Sequence, residues 1–102
     1  MSSQPRITLL VLYCQDLHAN REFYAGLGLR LEPEQHGDGP RHWAAELPDG
    51  TVFELYPASE RRPPSSLRLG LAVTAGRTDP PLDLGRHLLR DPDGRTVEVH
   101  AG

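Results

Sequence analysis

Lysine is missing from this chain of 102 residues, so all eleven basic residues are arginine. That reads as compositional bias, although the planar guanidinium suits fixed carboxylate pairs better than an ammonium does. Cysteine is nearly missing as well. Cys14 stands alone, which excludes an intramolecular disulfide framework and predicts a reducing compartment, with a bacterial-type cytoplasm as the expected location. Aromatic residues make up 6% and apolar residues 37% of the chain, so the core is small for the length. No apolar run is long enough to span a bilayer. The stretch Ile7–Cys14 is the most apolar, it is short, and a polar start precedes it, so neither a signal peptide nor a membrane partner is expected. A net charge of −3 gives no basic surface for nucleic acid or an anionic membrane.

Turn formers are abundant, with ten prolines and ten glycines. The run from Arg6 to Cys14 predicts a buried strand. Asp16 is placed to cap a helix in which Ala19, Phe23 and Leu27 share a face, and Gly26 and Gly28 stop it. A short strand broken by Pro33 follows, then a turn, then a hairpin about the Pro-Asp-Gly at 48–50. The stretch 58–66 reads as a linker. Beyond it Leu67, Leu69, Leu71 and Val73 alternate along a strand, a Pro-rich segment offers one further short strand near Pro81–Leu84, and a second hairpin turns at Asp91–Gly94. Both hairpins carry a Pro-Asp-Gly turn and a glutamate four residues after its glycine, Glu54 and Glu98. The turns read as scaffold. The halves form a weak internal repeat.

The pieces DLHANREFYAGLGLRL, DGTVFELY and RDPDGRTVEV, taken together, resemble the vicinal oxygen chelate superfamily. That superfamily includes glyoxalase I, bleomycin-resistance proteins and extradiol dioxygenases. The resemblance implies one α+β domain over 1–102, with paired βαβββ modules forming a curved mixed sheet around a cup. Module one would span about 6–57, and a shortened module two, lacking its helix, 67–100. The metal ligands of metal-dependent members would fall at Leu9, Glu54, Arg68 and Glu98. Leucine and arginine cannot ligate, and two carboxylates alone suit zinc or nickel poorly. Arg68 is therefore expected to replace the metal as counterion to both glutamates. The missing helix leaves Leu67, Leu69, Leu71 and Val73 without cover, and Leu88 and Val97 too if they face the same way. A partner subunit, in a homodimer, is expected there.

Period-two alternation turns Glu54 and Glu98 into the cup and Phe53, Leu55, Val97 and Val99 away from it. The candidate ligand-binding residues are Trp43, Glu54, Tyr56, Arg68 and Glu98. No cofactor is favoured. Should a divalent metal bind, Glu54, His87, Glu98 and His100 are its expected ligands, with His87 opposite Glu98 across the last hairpin. His18, His36 and His42 read as surface, and Cys14 as an inert core thiol. The expected function is metal-free small-molecule binding or sequestration in a cup completed by oligomerisation. A glyoxalase-type metal-dependent lyase or isomerase, with catalytic residues unassigned, and an accessory structural domain without a ligand are the alternatives.

Overall fold

The computed structural model describes residues 3–102. The first half contains β1 (Leu9–Cys14), α1 (Leu17–Gly26), β2 (Glu32–Glu34), β3 (His42–Glu46) and β4 (Val52–Pro57). They form a four-stranded sheet in the order β1-β4-β3-β2, with β1 parallel to β4 and the other pairs antiparallel. The second half contains β5 (Leu69–Val73), β6 (Gly85–Arg90) and β7 (Thr96–Ala101), in the order β5-β7-β6 with β5 parallel to β7. The fold is α+β, with two mixed sheets and one α-helix among the described residues. A single 3-10 turn, Ala75–Arg77, stands where the second half would repeat α1. The segment after it stays irregular, and the expected strand near Pro81–Leu84 does not form; Thr78 Oγ1 accepts from the Leu82 N–H there instead.

Local chemistry places the helix. Asp16 is extended and its Oδ1 accepts from the Ala19 N–H at 2.9 Å, a side-chain N-cap. At the other end Gly26 serves close approach more than helix termination. A Cβ there would meet the Asp79 carbonyl oxygen at 2.5 Å, and the Asp79 N–H donates to the Gly26 carbonyl. The turn itself falls to Gly28, whose φ of 106° is left-handed.

The buried face of α1 carries Asn20 and Tyr24, followed by Leu27 at its C-cap, so it is turned one residue from the Ala19–Phe23 stripe that the periodicity predicts. The reason is polar and distant. Tyr24 Oη donates to Asp91 Oδ2 at 2.6 Å, and Asn20 Nδ2 donates to Asp93 Oδ2 at 3.0 Å. These partners lie in the turn before β7, which therefore does more than reverse the chain. Asp91 Oδ1 also accepts the N–H groups of Asp93 and Arg95, while Arg95, itself buried, sits with Nε 2.9 Å from Asp91 Oδ2. The Arg95 guanidinium also reaches the carbonyls of Tyr13 and Ser65. Every charge in this interior cluster has a counterion, as burial demands.

One core runs through both sheets. Leu12, Phe53 and Leu55 from the first meet Tyr24 and Leu27, and these meet Leu69, Val97 and Val99 from the second. The second sheet is thus not left bare, contrary to the expectation from its missing helix: α1 of the first half covers part of it. Val97 is fully buried and Leu88 is 57% exposed, because adjacent strands present them to opposite faces. Beyond the end of α1 the cover stops, and a cleft of about 700 Å³ opens between Leu27–Arg30, the β3–β4 turn and β5, with Leu71 and Val73 in its wall. Ser65, in the expected linker, exchanges two hydrogen bonds with Tyr13 at the free edge of β1.

Candidate functional site

Alternation along β4 buries Phe53 and Leu55 against α1 and turns Glu54 and Tyr56 to the opposite face. Register brings Ala44 opposite Glu54 and Glu34 opposite His42 on that same face. Glu34, His36, His42 and Glu54 there hold one ligand-type atom each within 4.8 Å of one another. His42 is the centre. Its side chain is 1% exposed, so the expectation of a surface histidine fails. The ring stacks on Tyr56 at 4.0 Å and 11°, and Tyr13 stands 6.0 Å beyond Tyr56. His36 lies at the other end of the row, 5.1 Å from His42. Burial, with the carboxylates of Glu54 and Glu34 nearby, holds the Tyr56 phenol above its ordinary pKa. Glu34, His36 and His42 are absent from the sequence-derived set. The signal that finds them is cross-strand register, which a strand interrupted by Pro33 and followed by a turn does not reveal in one dimension.

The residues picked from sequence do not assemble as one cluster. Trp43 points to the α1 face of the first sheet, away from Tyr56, and the Arg21 guanidinium lies 4.8 Å over its ring. Glu54 pairs with His42 at 3.3 Å. Glu98 belongs to the other sheet, where Arg86 Nε donates to it and Arg68 and His100 stand at 3.6 and 3.7 Å. Arg68 therefore does not bridge the two glutamates; it is 64% exposed and meets Glu98 alone among the described acids. The hydrogen bond from Arg86, helped by the charges of Arg86 and Arg68, holds the Glu98 carboxyl below its ordinary pKa. His87 faces Val99, one residue out of the expected register, because Leu88 is the partner of Glu98. His87 Nε2 lies 2.7 Å from the Asp83 carbonyl, on the face opposite Glu98 and His100.

The overall fold is shared with solved structures. An antibiotic-binding protein from Streptomyces sp. CB03234, TnmS3, superposes with a TM-score of 0.67 at 21% identity, over 99% of this chain and 98% of its own. This is the fold of the vicinal oxygen chelate proteins. A lactoylglutathione lyase from Agrobacterium tumefaciens shares it at a TM-score of 0.58 and 19% identity, over 99% of this chain and 96% of its own. So does a glyoxalase/bleomycin resistance protein/dioxygenase from Nocardioides, at 0.59 and 22%, over 99% and 85%. No family model matches the chain, and no curated protein matches it in sequence.

The four positions where the chelate fold would place a metal do not fit one here. Leu9 is aliphatic and 54% exposed, Arg68 is a cation, and Glu54 and Glu98 serve different partners on different sheets. No chemical step follows from a metal at those positions. No helix among the described residues is long and apolar enough to cross a membrane.

Proposed function

We propose that this chain binds a small molecule on the face of the first sheet that points away from α1. The observation that carries this reading is the row of Tyr13, Tyr56 and His42, ending at the carboxylates of Glu54 and Glu34. Flat aromatic surfaces beside carboxylates suit a planar ligand that bears a cationic or hydrogen-bond-donating group. The likeness to an antibiotic-binding protein of the same fold supports the reading at the level of fold. The ill-fitting chelate positions favour binding over the metal chemistry of a lyase there, and the separation of Glu54 from Glu98, His87 and His100 gives the lyase no shared centre.

A second copy of the chain completes the site in this proposal. Leu9 and Leu88 leave large apolar side chains exposed on the α1-distal faces of the two sheets, where a partner would cover them. The buried free thiol of Cys14 agrees with a cytoplasmic setting.

The test is amide chemical-shift mapping with a panel of planar aromatic cations, on untagged protein kept free of metal by chelator. Saturable shifts confined to Tyr13, His42, Glu54 and Tyr56, lost in Tyr56→Ala, are the expected result. Shifts centred on Leu27–Arg30 and Gly70–Thr74 would move the site to the cleft, and no shifts would end the binding reading. Sizing with light scattering tests the second copy, which a monomer at micromolar concentration removes.

A further inference from the structure

The His42 ring carries information that the small-molecule reading does not use. Its Nδ1 lies 3.2 Å from the Pro40 carbonyl oxygen, which accepts when that nitrogen carries the ring proton. Nε2 faces two carboxylate oxygens, Glu34 Oε1 and Glu54 Oε2, each at 3.3 Å. In the tautomer with the proton on Nδ1, the Nε2 lone pair faces both oxygens. A cation seated between Nε2 and the two oxygens would meet a donor atom on each side. His36 Nε2, 3.5 Å from the same Glu34 oxygen, adds a fourth donor.

We propose that Glu34, His36, His42 and Glu54 form a binding site for one divalent transition-metal ion. Two imidazoles and two carboxylates are a donor set that zinc, cobalt and nickel accept. In a tetrahedral site with bonds of roughly 2.0–2.1 Å, ligand atoms stand about 3.3–3.4 Å from one another. The three contacts above, 3.3, 3.3 and 3.5 Å, already have that spacing. The wider separations, up to 4.8 Å, close by rotation of His36 and Glu34, whose side chains are exposed. The surroundings of His42 suit a metal-ligating histidine: one ring nitrogen stands 3.2 Å from a backbone carbonyl oxygen, and Tyr56 fixes the ring plane by stacking. All four ligands come from β2–β4 and the turn between β2 and β3, so the site is separate from Leu9, Arg68 and Glu98 and needs no organic ligand.

Cobalt(II) tests it directly, because tetrahedral coordination gives strong visible absorption. Untagged protein is stripped with chelator, dialysed and titrated with cobalt chloride, then back-titrated with zinc. The expected result is saturation at one equivalent and displacement by zinc. His36→Ala and Glu34→Gln should each weaken cobalt binding roughly 10-fold or more, with an unchanged unfolding midpoint, whereas His87→Ala and His100→Ala bind as the parent does. His42→Ala is informative only if it folds, and the two exposed ligands carry the test without it. Absence of saturable binding by the parent overturns the proposal. Binding that survives His36→Ala and Glu34→Gln but fails in His100→Ala overturns it too, placing the ion at Glu98. Because the probe is the metal alone, neither result depends on the outcome of the small-molecule mapping.

Discussion

Tyr24 and Asp91 stand 67 positions apart in sequence and share a 2.6 Å hydrogen bond inside the protein. The bond joins α1 to the turn before β7, and Arg95 completes it from beneath. Tyr24→Phe should therefore destabilise the fold by about 1–3 kcal/mol, the cost of a buried acceptor that loses a donor. Arg95→Met leaves Asp91 and Asp93 without their cation and should cost more, roughly 3–5 kcal/mol. Urea unfolding of the two variants checks the order as well as the size. Equal, small losses would mean that water replaces both partners.

Alkaline pH should weaken this same interior. Burial pushes the Cys14 thiol up, against the opposing pull of Arg95, and burial together with the Asp91 contact pushes the Tyr24 phenol up. A raised folded-state pKa means that the native protein holds its proton more tightly than the unfolded chain does. The stability from each group is complete below its unfolded pKa and declines as pH rises towards the folded one. Unfolding midpoints should fall from about pH 8.5 upward through Cys14, and again from about pH 10 through Tyr24. In Tyr24→Phe the second decline should shrink and the first remain.

Gly26→Ala tests the junction between the end of α1 and the loop that follows the 3-10 turn. The new methyl carbon would meet a backbone oxygen that cannot rotate away. A loss of about 1–3 kcal/mol is expected, since overpacking displaces the main chain. The gain in helix propensity offsets at most about 1 kcal/mol of that. A variant as stable as the parent, or more so, would show that the loop yields freely.

Element order was legible in the chain because strands and helix announce themselves by local period, and the two Pro-Asp-Gly turns by local chemistry. The side of β4 and of β7 was legible too: Phe53, Leu55, Val97 and Val99 lie in the core as alternation predicts. Contacts fixed by register or by distant partners were not. His87 missed Glu98 by one residue, which flips a side chain to the other face. Trp43 and Tyr56 have strong aromatic character, yet neighbouring strands send them to opposite faces. Asn20 and Tyr24 displaced Ala19 and Phe23 from the buried stripe because their polar groups found acids in the other half. His42 looked solvated because histidine in a polar segment usually is. Only the pairing of β2 with β3 brings Glu34 to cover it.

A helix that seals two sheets at once carries a double obligation. Any change at Tyr24 or Leu27 must satisfy the strands of the first half and those of the second together, so acceptable alternatives are the overlap of two sets. The stretch from Ser59 to Pro64 has no such duty, being mostly exposed and outside the core. Drift in a lineage of such chains should collect in that stretch and spare α1. A repeat without a helix of its own leaves its neighbour's helix harder to change.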